Sequence, residues 1–100
     1  MLLVRNIMHC KPGKAKEMVS RFRDFENASK QLGLQMKFRV LTDVAGERFW
    51  TVISEIEVKD MTEHDEMHRK IMAYPDYTKN LGGYHDIVES GRREIYKIEE

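Results

Sequence analysis

An α+β fold of order β-α-β-β-α-β, a sheet of antiparallel strands with helices on one face, is predicted by three features of this 100-residue chain. The first is Arg48–Val58, which reads Arg-Phe-Trp-Thr-Val-Ile-Ser-Glu-Ile-Glu-Val. β-Branched and aromatic residues dominate it and Gly and Pro are absent, so it is extended. Its alternation puts Trp50, Val52, Ser54, Ile56 and Val58 on one face and Phe49, Thr51, Ile53, Glu55 and Glu57 on the other. Both faces begin apolar, as in a central strand covered on both sides. The second feature is a long amphipathic helical pattern ahead of it. The third is a pair of alternating runs near the two ends of the chain. Together they give the ferredoxin-like order.

Leu2 to Cys10 is the first strand, with Leu2, Val4, Asn6 and Met8 on one face and Leu3, Arg5, Ile7 and His9 on the other. Lys11-Pro12-Gly13-Lys14 ends it. From Lys14 to Leu32, Ala15, Met18, Phe22, Phe25, Ser29 and Leu32 recur at helical spacing and form one stripe. Glu17 with Arg21 and Glu26 with Lys30 read as exposed pairs, each worth about 0.3–0.5 kcal/mol. Gly33 suits a left-handed stop. Gln35 to Asp43 is the second strand, and Val44-Ala45-Gly46-Glu47 turns the chain back into Arg48–Val58. Asp60 or Thr62 caps the next helix, Thr62 with Asp65 forming an imperfect capping box. That helix stops at Tyr74, before Pro75. Pro75 opens a third helical piece, where Tyr77, Leu81, Tyr84 and Val88 form a stripe interrupted by Gly82-Gly83. Gly91 reads as a stop, and Arg92–Ile98 as the last strand.

The length fits one domain, 1–100, with roughly two thirds of the unfolded surface buried. Seventeen basic residues balance seventeen acidic ones, which argues against a nucleic-acid partner or an anionic membrane. Met1 to Val4 is the only apolar start, and Arg5 interrupts it, so no signal peptide or membrane span is expected. The single cysteine, Cys10, forms no internal disulfide and suits a reducing cytoplasm. The face carrying Leu3, Ile7, Leu41, Phe49, Thr51 and Ile53 has no helix to cover it. A second copy, sheet on sheet, is the simplest closed solution, so the expected partner is the protein itself.

On this element order, and on Lys11-Pro12-Gly13-Lys14 and Ser90-Gly91-Arg92-Arg93-Glu94-Ile95-Tyr96, the chain resembles the dimeric α/β-barrel superfamily. That group includes antibiotic-biosynthesis monooxygenase domains and NIPSNAP-like proteins. The resemblance implies a homodimer with a ligand site between the helices and the sheet of each subunit. Some members oxidise aromatic compounds without a cofactor, some degrade haem and many have no assigned activity. The haem-degrading branch pairs a first-strand Asn with a Trp and a His on the helical layer. Asn6 matches, but the only tryptophan, Trp50, is on a strand and no His lies near Tyr77–Leu81. No cofactor is therefore expected.

Several residues are candidates for chemistry. His64 and His68 lie one turn apart on one helix face, a spacing that suits either a catalytic base or a metal pair. A metal would need a third ligand from His85, Glu63 or His9; the plainer reading, a histidine border beside Met67, Ile71 and Met72, is preferred and no metal is assigned. Asn6, Trp50 and Ser54 point toward the helices, as polar groups of an apolar pocket or as satisfied core residues. Tyr77 and Tyr84 cap that pocket or are plain core. Arg5, Arg39, Glu55 and Glu94 read as cross-strand or inter-subunit ion pairs that fix register. Trp50, in the central strand, is expected to cost about 3–5 kcal/mol on truncation to Ala. The functional expectation is a homodimer binding a small apolar or aromatic ligand, with cofactor-free oxidation or isomerisation of an aromatic or quinone-like compound as its enzyme form. The alternatives are a non-catalytic ligand-binding or stress-associated module and a purely structural dimer.

Overall fold

The computed structural model describes residues 1–100. It contains β1 (Leu2–Cys10), α1 (Ala15–Gln31), β2 (Lys37–Thr42), β3 (Thr51–Val58), α2 (Met61–Met72), α3 (Pro75–Thr78), a 3₁₀ turn (Tyr84–Asp86) and β4 (Val88–Lys97). The strands form one antiparallel sheet in the order β2-β3-β1-β4. This is the expected α+β, ferredoxin-like arrangement, with the helices on one face. Val52, Ser54, Ile56 and Val58 of β3 are all buried on the helix side.

Each helix is ended by local chemistry. After α1, Gly33 takes φ +73°, its N–H donates to the Lys30 carbonyl, and the Leu34 N–H donates to the Ser29 carbonyl. That pair of bonds satisfies carbonyls the helix leaves open. At α2 the cap is Asp60, whose carboxylate accepts from the Glu63 N–H at 2.8 Å, while Glu63 accepts from the Lys59 N–H at 3.2 Å. The reciprocal cap is thus Asp60 with Glu63 rather than Thr62 with Asp65. Val4, Ala28, Ile56, Val58, Met67 and Ile71 form one buried cluster under the two helices. Cys10, Met18, Val52, Ile87 and Val88 form a second at the other end of the sheet.

Five expectations are corrected. The organising strand begins at Thr51, not Arg48, because Asp43 closes the hairpin ladder there: its carboxylate accepts from the Thr51 N–H at 2.8 Å. Trp50 is left in the connecting loop with φ 60°, 42 % exposed, and Phe49 is 84 % exposed. Trp50 is therefore not a core residue. The stripe Tyr77–Leu81–Tyr84–Val88 is not one helix: α3 is a single turn, Gly83 adopts φ +75°, and Val88 already opens β4. Gly91 does not stop anything. It lies inside β4 opposite Met8, where an added Cβ would come within 2.9 Å of the Met8 sulfur. Nor do the α1 pairs form as expected, since Glu17 binds Lys14 and Glu26 binds Arg23.

The open face of the sheet carries a ladder of alternating charge, one residue per strand. Arg39, Glu55, Arg5 and Glu94 are consecutive cross-strand neighbours. Glu55, 2 % exposed, accepts from Arg39 Nε at 2.5 Å and from Arg5 Nε at 2.8 Å. Arg5 reaches Glu94 at 3.8 Å. These are the register-fixing cross-strand pairs expected from the sequence. Apolar residues flank the ladder on both sides, the row Leu41–Ile53–Ile7 on one and Leu3 with Tyr96 on the other.

The burial pattern predicts a contrast between two large side chains. Ile71 is fully buried, so Ile71→Ala is expected to cost about 2–5 kcal/mol. Trp50→Ala is expected to cost less than about 1.5 kcal/mol, because a half-exposed ring in a loop leaves no closed cavity. Urea unfolding of the two variants checks this, and a larger loss at Trp50 than at Ile71 contradicts it.

Candidate functional site

A cavity of about 390 Å³ opens between the helical layer and the sheet, between the two buried clusters. The sheet supplies Asn6, Met8, Phe38, Ser54, Ile56 and Arg93. Met18, Arg21, Phe22 and Phe25 come from α1, His64 and His68 from α2, and Tyr77, Leu81 and Tyr84 from the segment that follows. The spacing of Met18, Phe22 and Phe25 along α1 aims all three the same way.

Six of the seven residues expected at a site meet here: Asn6, Ser54, His64, His68, Tyr77 and Tyr84. Trp50 does not. It borders a separate surface depression with Ala15, Val19 and Phe49.

The polar floor is one row across three strands. Asn6 lies opposite Ser54 on one side and Arg93 on the other. Asn6 Nδ2 donates to Ser54 Oγ at 3.4 Å, and Arg93 Nε donates to Asn6 Oδ1 at 2.9 Å. Both ends of the Asn6 amide are thereby used, and no buried side-chain polar atom in the fold lacks a partner.

The aromatic wall is built around Phe25. Its ring meets Tyr77 edge-on at 5.8 Å and Phe38 at 6.2 Å, and lies 6.5 Å from the His68 imidazole. His64 and His68 stack at 6.2 Å, 12° from parallel. His64 is buried, with Nδ1 3.4 Å from Asp65. Burial lowers the pKa of His68 below its usual value, and the neighbouring His64 and Arg93 lower it further. Burial raises the Tyr77 and Tyr84 hydroxyls, which keeps both neutral. No group of three or more His, Cys, Asp or Glu side chains converges to hold a metal.

The two charged residues of the cavity, Arg93 and Arg21, were not anticipated from the sequence. The alternation Gly91, Arg93, Ile95 along the last strand puts Arg93 on the helix side, opposite Asn6. Arg21 lies between Met18 and Phe22 on the apolar stripe, and that position is the sequence signal for a cavity-facing side chain. It turns inward and donates to the Gly82 carbonyl.

No protein-family profile matches the chain, and no curated protein matches it. Solved structures do. A NIPSNAP domain protein from Burkholderia xenovorans superposes with a TM-score of 0.79 at 15 % identity, over 99 % of this chain and 95 % of that one. A NIPSNAP family protein from Agrobacterium tumefaciens gives 0.77 at 16 % identity, over 96 % and 90 %. An antibiotic biosynthesis monooxygenase gives 0.71 at 15 % identity, over the whole of both chains. At these identities the likeness is one of fold: the chain has the ferredoxin-like architecture common to NIPSNAP and antibiotic-monooxygenase structures, as its element order and strand runs suggested. No helix is long and apolar enough to cross a membrane.

The imidazole pair yields a pH prediction. The unfolded chain holds His68 near its ordinary value of 6.5, and the fold lowers it. Between the two values the unfolded state binds more protons, so this group's contribution to stability is fully present above the unfolded value and is lost as pH falls through the folded one. An NMR titration should give His68 below 6.5, rising toward it in His64→Gln as one lowering charge is removed. A His68 value above 6.5 in the unmodified protein contradicts the assignment.

Proposed function

We propose that the protein is a homodimer that binds a small, largely apolar aromatic or quinone-like molecule between its helices and sheet. The observation that carries this reading is the cavity itself: a space of about 390 Å³ with Phe22, Phe25, Phe38 and Tyr77 around it and a short polar row on its floor. Apolar walls with a few fixed polar groups are the usual make-up of a small-molecule site. In the enzyme form of the proposal, neutral His68 takes a proton from an acidic O–H or C–H of the bound ring, with His64 stacked behind it. Asn6 and Ser54 orient a ligand oxygen. The resulting phenolate or enolate is reprotonated elsewhere, which is isomerisation, or is oxidised by O₂. No cofactor is invoked. A cytoplasmic location accords with the lone buried Cys10.

A second reading, binding without turnover, is favoured by one detail. His64 has a carboxylate at 3.4 Å, whereas His68 has none within ion-pair distance to orient it as a base.

The dimer is supported by the open sheet face. The row Leu41–Ile53–Ile7 is apolar, and the ladder Arg39–Glu55–Arg5–Glu94 alternates in sign, so it is complementary to itself when reversed. A two-fold contact needs such self-complementarity.

Three measurements bear on these proposals. Light scattering at micromolar concentration is expected to give twice the 11.9 kDa chain mass, and a monomer mass removes the dimer. Under O₂ and without added cofactor, hydroquinones are expected to be consumed in a reaction that His68→Gln slows by about 10²-fold or more, the range typical of general bases. Binding without consumption selects the second reading. Amide exchange around Pro75 and Gly82–Gly83, where the chain has no continuous helix, is expected to be fast and to slow when ligand binds. Slow exchange there in the free protein contradicts a mobile rim.

A further inference from the structure

The cavity carries a charge its own walls do not neutralise. Its lining includes two guanidinium groups, Arg93 and Arg21, and no Asp or Glu. Neither arginine takes part in any of the ion pairs of the fold. The contrast with the opposite face of the same sheet is direct. There Arg5 and Arg39 share Glu55, and Arg92 binds Glu94 at 3.2 Å. Arg92 and Arg93 are consecutive on β4 and so project to opposite faces. The one on the open face has a carboxylate, and the one on the cavity side has none.

Arg93 is also held in a particular way. Its Nε–H is spent on Asn6 Oδ1 at 2.9 Å, and Asn6 is held in turn by Ser54. The guanidinium is planar, so fixing Nε fixes the direction of the two terminal nitrogens. Those nitrogens carry four N–H donors, and the pair of parallel donors they offer matches the two oxygens of a carboxylate. Arg21 is different, because one of its terminal nitrogens already donates to the Gly82 carbonyl. It braces the segment after α3 and adds background positive charge. The remaining walls are rings: Phe22, Phe25 and Tyr77.

We infer, building on the cavity reading above, that the ligand is an aromatic acid, its carboxylate held on the terminal nitrogens of Arg93 and its ring packed against Phe25 and Tyr77. Asn6 is then a positioning residue that aims Arg93. The ligand carboxylate supplies the negative charge that the cavity lacks, while the apolar part of the ligand fills the rest of the volume. Arg93 is exposed at the cavity rim, so a carboxylate reaches it without burying the guanidinium, whereas an uncharged hydrocarbon or plain quinone leaves its two terminal nitrogens to water alone.

The test compares three probes of one shape by titration calorimetry on the intact protein: naphthoate, naphthamide and naphthylmethylammonium. Naphthoate is expected to bind at least about tenfold more tightly than naphthamide, with the cationic probe weakest and the gap shrinking as salt is added. Arg93→Met is expected to abolish the naphthoate–naphthamide gap, chiefly by weakening naphthoate. Arg93→Gln, which keeps a donor for Asn6, answers the same question if Arg93→Met fails to fold. Arg21→Gln is expected to leave most of the gap. Equal binding of naphthoate and naphthamide by the unmodified protein overturns the acid inference and leaves the cavity reading standing. A gap that survives both Arg93 variants, or that is lost in Arg21→Gln instead, overturns the assignment to Arg93. If none of the three probes binds, the cavity reading fails and this inference fails with it.

Discussion

Glu55 holds three strands in one register. Its carboxylate is buried on the face of the sheet that no helix covers, yet it is flanked by Arg39 from β2 and Arg5 from β1. A buried carboxylate is stable only where cations and hydrogen bonds replace its water. Slipping either neighbouring strand by one residue would remove a guanidinium and turn every side chain of that strand to the wrong face. The apolar alternation of β3 permits the correct register; the ion pairs penalise the others. Glu94 on β4 extends the same row through Arg5, so the fourth strand is tied to the ladder as well.

The site depends on that register. With Arg5 opposite Glu55, the next residues, Asn6 and Ser54, are opposed on the helix side, and Arg93 follows across β1. One row of charges outside thus sets one row of polar groups inside. The helices then roof this row without closing on it. The cap at Asp60 and the left-handed turn at Gly33 define where α2 begins and α1 ends. The bulky rings of Phe22, Phe25 and Phe38 hold the layers apart around the polar floor. The same spacing that buries Ile71 completely beside Val4 and Val58 leaves open volume a few residues away, above Asn6.

The fold alone does not choose a chemistry. Structures named for NIPSNAP domains and one named for an antibiotic monooxygenase superpose comparably well on this chain at 15–16 % identity. An architecture shared at that distance transmits a scaffold, and the function lies in the side chains that occupy it. What distinguishes this cavity is its content: a stacked imidazole pair on one wall and a cation-bearing, acid-free floor on the other.

The sequence by itself determined the element order, the strand faces, the ion-pair ladder and six of the residues that line the cavity. These depend on local periodicity and on charge placed at fixed strand positions, which a single chain displays directly. The breaks in periodicity were legible only in part. Pro75 ended a helix as expected, and Gly33 took its left-handed turn. Gly91, by contrast, resembled a stop but serves the close approach of Met8 from a strand more than eighty residues away in sequence. Trp50 has the composition of a strand residue, and only the competing Asp43 carboxylate, which caps the hairpin at Thr51, put it in the loop. The inward turn of Arg21 was likewise decided by tertiary structure, because its partner is a carbonyl sixty-one residues on. The unneutralised charge at Arg93 is of the same kind: whether a guanidinium finds a carboxylate depends on which face of the folded sheet it occupies, and that is a property of the assembled register.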